Sequence, residues 1–425
     1  MPLAEALENL YARRRFGIRP GLDRVALMLE RLGHPERMFR SIHVAGTNGK
    51  GSTSAFLASI LNAAGYRTGF FSSPHLVRFT ERFRINGHEP PEERIATLLQ
   101  TVLGHAPDDA TFFEIVTALA AFYFADERVD LAVMEAGMGG RSDATAALPA
   151  QMTVITPISL DHCDYLGATL PQIADEKCRI AESGTPVILA PQPAEAEAAI
   201  RARLIPDRNR TFWAEADIRA AWNSDGSLDY HGIHATLTAL TPGIPGRYQA
   251  VNAALALAAA EVLNQEGLPI SHTALAEGIR DARWPGRMEF IPGEPPLLLD
   301  GAHNPAGAAA LAESLAQYHY ERLLLVSGIM ADKDAVGLLG PLACQAAQAF
   351  AVAPAVERAL DPACLAAQLI GLGLPTTPCA SVAEGLRAAR AAAAPGDLIL
   401  VCGSLFTVGE AKAILAGNRF EGVRG

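Results

Sequence analysis

The stretch that decides the fold covers residues 42–54 and reads Ile-His-Val-Ala-Gly-Thr-Asn-Gly-Lys-Gly-Ser-Thr-Ser. The apolar run from Ile42 to Ala45 predicts a buried strand, and apolar residues at helical spacing resume after Ser52. The glycines between them allow backbone N–H groups to turn inward at a helix N-terminus, where they attract anions. Lys50 adds a full positive charge. The stretch therefore predicts a binding site for a nucleotide triphosphate.

The loop departs from the general P-loop pattern at one position. That pattern expects a glycine five residues before the Gly-Lys pair, and Val44 stands there instead. We interpret the loop as a shortened variant. The alternative is a glycine-rich turn that merely joins strand to helix, and it is disfavoured because Lys50 and Ser52 stand where a phosphate loop needs them.

The composition bounds the class of protein. The chain has 425 residues, which is long for one core, so two or three domains are expected. Half of the residues are apolar and 19% are charged, which is typical of a globular, soluble protein. The net charge of -11 argues against nucleic-acid binding, because such proteins use a basic surface to displace counterions. Local positive groups are therefore expected to hold any anionic substrate.

Cysteine spacing and hydropathy indicate the compartment. The six cysteines form no C-x-x-C pair and no metal-ligand pattern, so we interpret them as reduced, small apolar residues. They are Cys163, Cys178, Cys344, Cys364, Cys379 and Cys402. Residues 1–5 lack the features of a signal peptide. Prolines and glutamines interrupt the uncharged stretch 336–356, which predicts a helix and a buried strand and no membrane span. We expect a cytoplasmic protein.

Buried strands alternate with helices along most of the chain, which predicts parallel sheets covered on both faces. The predicted strands include residues 42–45, 67–71, 130–134, 152–155, 297–299, 323–326 and 398–401. The predicted helices include two within residues 3–40, which break at Pro20-Gly21, and then 91–103, 111–125, 171–182, 248–263 and 305–317. Residues 211–240 predict short strands joined by turns.

The segment 283–293 is the predicted domain junction, because it contains two prolines and two glycines. A second alternating series of strands and helices begins after it. We therefore predict an N-terminal domain of residues 1–285 and a C-terminal domain of residues 286–425, with a cleft between them.

Three side chains are predicted to lie near the glycine loop. Ligands of parallel sheets bind beyond the carboxyl ends of the strands, and Ser73, Glu135 and His162 each follow a predicted strand. A carboxylate in such a place commonly holds magnesium. Taken singly, each residue has a structural alternative: Glu135 as a solvated strand end, Ser73 as a strand terminator and His162 as a hydrogen-bonded histidine. Their shared location favours a metal site.

Lys177 has a simpler interpretation as an exposed lysine, since Asp175, Glu176 and Arg179 surround it on a predicted helix. A divalent cation would repel its ammonium group. A role near metal therefore requires the charge of Lys177 to be neutralised or inverted.

The loop Gly46-Thr-Asn-Gly-Lys-Gly-Ser52 resembles the variant found in the Mur ligase superfamily of ATP-dependent, amide-forming ligases. Nearly the whole chain resembles the folylpolyglutamate synthase and dihydrofolate synthase family. The other matching blocks are Ser72-Ser-Pro-His-Leu-Val-Arg-Phe-Thr-Glu81, Thr111-Phe-Phe-Glu114, Glu135-Ala-Gly-Met-Gly-Gly-Arg-Ser-Asp-Ala-Thr145, Asp161-His162, Glu176-Lys177, Pro285-Gly-Arg287 and Asp300-Gly-Ala-His-Asn-Pro305.

The resemblance implies an α/β fold with a P-loop ATPase-type domain on a mostly parallel sheet and a smaller, Rossmann-like C-terminal domain. ATP and Mg²⁺ are the implied cofactors. The residues implied to bind ATP are Gly46, Thr47, Asn48, Gly49, Lys50, Gly51, Ser52, Asn252, Arg287, Asp300 and His303. The implied metal ligands are Ser73, Glu135, His162 and Lys177, the last as a carbamate, which turns a repelled cation into a carboxylate-like ligand. The implied catalytic residues are Lys50, Glu135, His162, Lys177 and Arg287.

The resemblance also implies which residues hold the pterin and aminobenzoate end of a substrate. They are Thr111, Phe113, Glu114, Ser142, Asp143 and Ala144. An aromatic face and an acidic group suit a flat, nitrogen-rich ring. For Phe112 and Phe122, a place in the core is the preferred interpretation.

The implied reaction adds L-glutamate to dihydropteroate, to folates already bearing glutamate, or to both, through an acyl phosphate. Retention of the Thr-Phe-Phe-Glu and Ser-Asp-Ala segments favours the bifunctional enzyme over folylpolyglutamate synthesis alone. The implied partners are these small molecules, without nucleic acid or membrane, and a monomer is expected.

Three rival functions compete with this interpretation. A cell-wall precursor ligase does not explain the Ser-Pro-His block, and only about forty residues precede the loop strand, too few for another ordinary domain. A regulatory P-loop ATPase predicts ATP turnover without amino-acid dependence. A dehydrogenase is disfavoured because no G-x-G-x-x-G loop follows the first strand of the C-terminal domain.

Overall fold

The computed structural model describes residues 3–12, 21–204 and 208–422. Its larger sheet has seven strands, all parallel except for β3, in the order β3-β2-β4-β1-β5-β6-β7. They are β1 (Arg40–Ala45), β2 (Thr68–Phe71), β3 (Phe83–Ile85), β4 (Leu131–Glu135), β5 (Ala150–Ile155), β6 (Val187–Leu189) and β7 (Thr211–Trp213). β1 and β4 are central and buried, as their apolar runs predict.

Helices cover both faces of this sheet. They are α1 (Leu3–Ala12), α2 (Asp23–Arg31), α3 (Lys50–Ala63), α4 (Glu92–His105), α5 (Phe112–Asp126), α6 (Cys163–Leu166), α7 (Leu170–Cys178) and α8 (Ala194–Arg203). One apolar core lies between the sheet, α3 and the helices that follow. Another lies on the opposite face around α5, with Phe112 in its interior and Phe122 packed against it partly buried. Part of Pro20-Gly21, the predicted helix break, lies outside the described residues.

A small antiparallel sheet follows and packs with two helices against α3. Its strands are β8 (Arg219–Trp222), β9 (Leu228–His231) and β10 (Thr236–Leu240), and its helices are α9 (Gln249–Gln265) and α10 (His272–Asp281). The predicted short strands and the alanine-rich helix are therefore confirmed. The first of the short strands, β7, joins the large sheet as its edge strand.

The second large sheet has six strands in the order β11-β12-β16-β13-β14-β15, and only β11 is antiparallel. Its strands are β11 (Glu289–Ile291), β12 (Leu297–Leu299), β13 (Leu323–Ser327), β14 (Ala346–Ala351), β15 (Thr376–Pro378) and β16 (Leu398–Cys402). Its helices are α11 (Pro305–Ser314), α12 (Ala335–Ala343), α13 (Pro362–Gly371), α14 (Val382–Ala392) and α15 (Leu405–Leu415). The predicted α/β class with two mostly parallel sheets is confirmed.

Two helix ends differ from those that the sequence predicts. The helix after the loop begins at Lys50, two residues before Ser52, and α7 ends at Cys178, four residues before the predicted end at Glu182. Glu182 is held outside the helix because its carboxylate accepts a hydrogen bond from the N–H of Ala150, at the start of β5. All six cysteines are free, and Cys178, Cys379 and Cys402 are buried whereas Cys163, Cys344 and Cys364 are exposed.

The uncharged stretch 336–356 forms most of α12 and then β14, as predicted. No helix in the described part of the chain has both the length and the apolar character that crossing a membrane requires.

Candidate active site

The glycine loop has the geometry that the sequence predicts. Gly49 adopts a left-handed conformation, with φ of 89°, and forms the N-cap of α3. Gly46 has φ of 138°, and a Cβ atom there would lie 2.0 Å from Oγ1 of Thr156. Both positions therefore require glycine. The first turn of α3 follows directly and presents its N–H groups at the carboxyl end of β1.

Two lysines meet at one carbonyl of this loop. Nζ of Lys50 donates to the carbonyl oxygens of Gly46 at 3.2 Å and Thr47 at 3.1 Å. Nζ of Lys177 donates to the same Gly46 oxygen at 2.8 Å. The structure thus brings Lys177 from α7 to the phosphate loop, and the simpler expectation of an exposed lysine was wrong.

Lys177 is only 3% exposed. Burial, reinforced by the nearby charge of Lys50, lowers the pKa of its amine to about 7. Near neutral pH, a large fraction of this amine is therefore unprotonated. The backbone of Gly140 packs against the same end of α7, since a Cβ there would lie 2.4 Å from the carbonyl oxygen of Lys177. This packing fixes the end of the helix that carries the amine.

Glu135 is buried at the end of β4, beside the loop. Its Oε2 accepts a hydrogen bond from the N–H of Ser73 at 3.3 Å. Burial raises the pKa of the Glu135 carboxyl to about 7, although Lys50 and Arg287 act in the opposite direction. Burial disfavours the ionised carboxylate, so a cation bound next to it would stabilise the ionised form.

This raised pKa has a consequence for stability. The native state binds a proton more tightly than the unfolded chain, so Glu135 lowers stability as pH rises from about 4.5 to about 7. At roughly 1.4 kcal/mol per pKa unit, we expect Glu135→Gln to stabilise the metal-free chain by about 3 kcal/mol at pH 8. The gain should fall below about 1 kcal/mol at pH 5. Urea unfolding in a chelator measures it, and Glu197→Gln on the surface of α8 is the control. A Glu135→Gln variant that is less stable at pH 8 would contradict the assignment.

His162 lies in a left-handed conformation, with φ of 51°, directly before α6. Its side chain is 46% exposed. Partial burial, with the positive charges of Lys333 and Lys50, lowers the pKa of the imidazole to about 4 against the opposing effect of Asp161. The neutral ring keeps a lone pair available for a metal at neutral pH.

In the part of the chain that the structure describes, no three or more His, Cys, Asp or Glu residues cluster so that they could hold a metal. Of the implied ligands Ser73, Glu135, His162 and Lys177, only Glu135 and His162 are of these types. A metal site at this position therefore needs a further negative group.

A narrow cleft lies between residues of the N-terminal part and residues of the C-terminal part of the chain. Gly51, Ser73 and Glu135 line one side, and Arg287 and Leu405 line the other. Nη1 of Arg287 donates to the carbonyl of Gly286 at 3.0 Å. The predicted phosphate loop and the predicted arginine of the C-terminal part thus face one space.

Asp300 and His303 lie on the C-terminal side of this region. Asp300 is buried, and its carboxylate accepts from the Tyr248 hydroxyl at 2.8 Å and from the N–H groups of Met288 and Ala302 at 2.9 Å each. The carboxylate oxygens of Asp300 therefore fix the position of the segment that contains Arg287. Nε2 of His303 lies 3.6 Å from Oδ2 of Asp161.

Asn252 lies beneath the loop. A Cβ on Gly49 would lie 2.2 Å from its Oδ1, and that oxygen accepts from the Thr53 hydroxyl at 3.4 Å. Its Nδ2 donates to Gln249 at 2.7 Å. These contacts support the loop, and the implied contact of Asn252 with ATP stays a prediction.

The residues implied to hold a pterin surround the N-terminus of α5 and the loop after β4. The Phe113 ring lies against Gly137, where a Cβ would be 2.5 Å from the ring edge. Asp143 is buried and accepts from the N–H of Met138 at 2.8 Å and from the Thr145 hydroxyl at 2.6 Å. Its carboxylate shapes the loop that carries Ser142 and Ala144.

Glu114 is likewise occupied by internal bonds. Oε1 accepts from Nη2 of Arg24 at 2.8 Å, and Oε2 accepts from the N–H of Thr111 at 2.8 Å in a capping box at the start of α5. The two side chains of the ion pair are 19% and 5% exposed. The structure therefore gives Glu114 a structural role next to the implied pterin pocket.

Removal of Arg24 should leave a buried, unpaired carboxylate. We expect Arg24→Met to lower the free energy of unfolding by about 3 kcal/mol, because breaking a buried pair from one side costs more than replacing both partners. Addition of Glu114→Gln should recover part of this loss. Equilibrium unfolding in urea measures both variants, and equal or greater instability of the double variant would contradict the pairing.

Sequence reasoning missed four residues that the structure places at or near the site. They are Arg24, Asp161, Asn304 and Lys333. Asp161 and Asn304 stood inside the Asp-His and Asp-Gly-Ala-His-Asn-Pro blocks, which were a usable signal. Arg24 and Lys333 had no such signal, because their partners lie 90 and 172 positions away.

Comparison with known families agrees with this geometry. The Mur ligase middle domain matches residues 44–260, and the Mur ligase, glutamate ligase domain matches residues 286–405. The dihydrofolate synthase/folylpolyglutamate synthase of Escherichia coli (strain K12) is 35% identical over 426 residues, covering 98% of this chain and 95% of that protein. The chain belongs to the folylpolyglutamate synthase and dihydrofolate synthase family of Mur ligases.

One relative within this family is much longer. A probable bifunctional folylpolyglutamate synthase/dihydropteroate synthase of Halobacterium salinarum is 36% identical over 422 residues. The match covers 96% of this chain and 51% of that protein, so the chain spans about half the length of this relative.

Solved structures of the family superimpose on nearly the whole chain. E. coli FolC in complex with DHPP and ADP has a TM-score of 0.88 and 34% identity, covering 98% of both chains. The Yersinia pestis bifunctional folylpolyglutamate synthase/dihydrofolate synthase complexed with AMPPNP and Mn ion has a TM-score of 0.87 and 33% identity, again covering 98% of both chains.

Proposed function

We propose that this chain is an ATP-dependent ligase that adds L-glutamate to dihydropteroate and to folates through an acyl phosphate, releasing ADP and phosphate. The observation that carries the proposal is the cleft in which the glycine loop and Glu135 face Arg287. A triphosphate in this cleft is flanked by positive charge from both sides. Family membership supplies the substrate class.

The phosphate loop, residues 46–52, holds ATP by its N–H groups and by Lys50. Arg287 offsets the charge of the terminal phosphoryl group from the other wall of the cleft. A substrate carboxylate attacks the γ-phosphorus, ADP leaves, and the amine of L-glutamate then displaces phosphate from the acyl phosphate. The protein groups act mainly by positioning and by charge stabilisation. Closure of the cleft protects the acyl phosphate from water.

Mg²⁺ suits the donor set at the edge of the large sheet. Ser73, Glu135, His162 and Lys177 as a carbamate would hold it, because burial raises the pKa of the Glu135 carboxyl and the buried amine of Lys177 donates to the carbonyl of Gly46 in the phosphate loop. When bound, the ion supplies charge neutralisation for the phosphates. The carbamate supplies a second negative group in addition to Glu135.

The substrate ring is placed beside Phe113, next to the loop that Asp143 shapes. Thr111, Glu114, Ser142 and Ala144 complete the walls of this pocket. Glu114 acts there through its bond to Arg24 and its cap on α5, and it sets the position of Phe113 on the first turn of the helix.

The deciding experiment measures phosphate release with dihydropteroate or tetrahydrofolate, with and without L-glutamate. Glutamate-dependent release with both acids supports the bifunctional enzyme, whereas release with tetrahydrofolate alone supports a folylpolyglutamate synthase. ATP turnover that ignores both the acid and L-glutamate would indicate a regulatory ATPase and overturn the proposal. Detection of the new amide by mass spectrometry confirms ligation.

Three further predictions are kept as part of this proposal. The domains are residues 1–285 and 286–425, the enzyme acts as a monomer, and it acts in the cytoplasm. Expression of residues 1–285 alone tests the boundary, and light scattering tests the monomer.

A further inference from the structure

Four polar side chains connect the two halves of the chain, and we name them the bridge cluster: Asn48, Asp161, Asn304 and Lys333. Asn48 and Asp161 lie in loops that follow β1 and β5 of the seven-stranded sheet. Asn304 is the N-cap of α11, and Lys333 lies between β13 and α12 of the six-stranded sheet.

The amide of Asn304 has all of its hydrogen-bonding capacity occupied. Its Nδ2 donates to Oδ1 of Asn48 at 2.9 Å and to Oδ2 of Asp161 at 3.3 Å. Its Oδ1 accepts from Nδ2 of Asn48 at 3.2 Å and from the N–H of Gly307 at 2.8 Å. An amide offers two donors and two acceptor lone pairs. Three of the four bonds cross between the halves, and only the bond from Gly307 serves α11 itself.

Asp161 completes the bridge from the other side. Its Oδ1 accepts from Nζ of Lys333 at 2.7 Å and from the N–H of His162 at 2.9 Å. The carboxylate side chain is only 5% exposed. A buried charge is tolerated only when it is paired. The carboxylate therefore has its full set of partners only when the C-terminal half is seated against the N-terminal half.

Asn48 connects the C-terminal half of the chain to the phosphate loop. Its Nδ2 donates to the Ser159 hydroxyl at 3.1 Å as well as to Asn304, so both of its amide hydrogens are used. Asn48 lies next to Gly49, the N-cap of α3. The orientation of the loop at this point thus depends on a side chain of the C-terminal half.

We propose that Asn304 is a positioning residue that couples the phosphate loop to the seating of the C-terminal half. When the Asn48–Asn304 pair is made, the loop is ordered for a triphosphate and Arg287 faces the same cleft. The inference rests on the proposed function for its effect on ligation, but its effect on the loop requires only nucleotide binding.

Two substitutions separate this role from capping. Serine and aspartate are both good N-caps, so Asn304→Ser and Asn304→Asp keep an acceptor for the N–H of Gly307. Serine is too short to reach Asn48, and aspartate has no donor for Asn48 or Asp161. The control is Asp361→Ser at the N-cap of α13, where the exposed Asp361 accepts from the N–H groups of Ala363 and Cys364.

Misplacement of a substrate-positioning group by about 1 Å can cost as much as 100-fold, so we expect both Asn304 variants to lower kcat by about tenfold or more. The Kd for a fluorescent ATP analogue with Mg²⁺ should rise several-fold. The melting temperature should fall further in Asn304→Asp than in Asn304→Ser or Asp361→Ser, because the new buried carboxylate faces that of Asp161. Asn304→Asp combined with Asp161→Asn should be more active than Asn304→Asp alone, because the new amide can donate to the new carboxylate.

The results separate the two proposals. If the unmodified chain shows no glutamate-dependent turnover, the proposed function fails. The Kd values for the nucleotide then still test whether Asn304 positions the phosphate loop. Normal Kd and kcat in Asn304→Ser would overturn the inference. The inference would also be overturned if adding Asp161→Asn to Asn304→Asp lowered kcat further. It would likewise be overturned if the Asp361→Ser control lost as much activity as the Asn304 variants.

Discussion

Replacement of Lys50 by alanine should reduce glutamate-dependent turnover by about 100-fold or more, since loss of one charge-stabilising donor costs about 2.7 to 4 kcal/mol in a transition state. Nζ of Lys50 lies within 3.2 Å of two loop carbonyls, at the start of α3 and beside the cleft. It is the only full positive charge on the loop. Phosphate release with a folate acid and L-glutamate measures the effect.

The control for this variant is Arg201→Ala, which removes a cation on α8 that pairs with Glu197 at the surface. Its turnover should stay within twofold of the unmodified chain. Thermal melting should show that Lys50→Ala is folded, because Nζ of Lys50 donates to carbonyls of its own loop. Ligation at a near-normal rate by Lys50→Ala would remove the phosphate site from this loop.

Substitution of Lys177 should abolish ligation to a similar extent, about 100-fold or more, because the proposed carbamate is a charged ligand of the site. Of the four lysines Lys50, Lys177, Lys333 and Lys412, Lys177 is the one that is buried, and burial lowers the pKa of its amine to about 7. A neutral amine is the form that reacts with carbon dioxide. Arginine stays protonated, so Lys177→Arg keeps the charge but excludes the carbamate.

Carbon-13 NMR with labelled bicarbonate tests this directly. A carbamate signal should be present in the unmodified chain and absent in Lys177→Arg and Lys177→Gln. Because the amine becomes protonated as pH falls through about 7, loading of the label should decline below that pH. In Lys50→Ala the decline should occur at higher pH, since the charge of Lys50 helps to lower the pKa of Lys177. Full activity of Lys177→Arg would exclude a catalytic carbamate.

Short-range patterns predicted most of the fold. The apolar run before the glycine loop became the central strand β1, and the run before Glu135 became β4 beside it. These signals succeed because a strand buried on both faces must be apolar along its length. Element ends were less well predicted, as α7 shows, because tertiary bonds from Ala150 and Asn209 to Glu182 compete with one more turn of helix.

The candidate site was only partly predictable. Gly46, Gly49 and Lys50 were visible because the loop is contiguous in sequence. Glu114 was expected to face a ligand, yet its carboxylate bonds to Arg24 and to the start of its own helix. Residue type alone does not distinguish a ligand from a structural partner, because the same carboxylate serves either purpose.

The sequence by itself determined the order of strands and helices, the phosphate loop and the family resemblance, because each is carried by neighbouring residues. Only the tertiary structure decided that Lys177 is buried and donates to the carbonyl of Gly46, which is 131 positions away in the sequence. The same holds for the hydrogen bond between Asn304 and Asn48, which are 256 positions apart. Burial and long-range hydrogen bonds set the pKa and the orientation of these groups. Burial and long-range hydrogen bonds depend on how the two sheets pack, and no pattern of neighbouring residues predicts that packing.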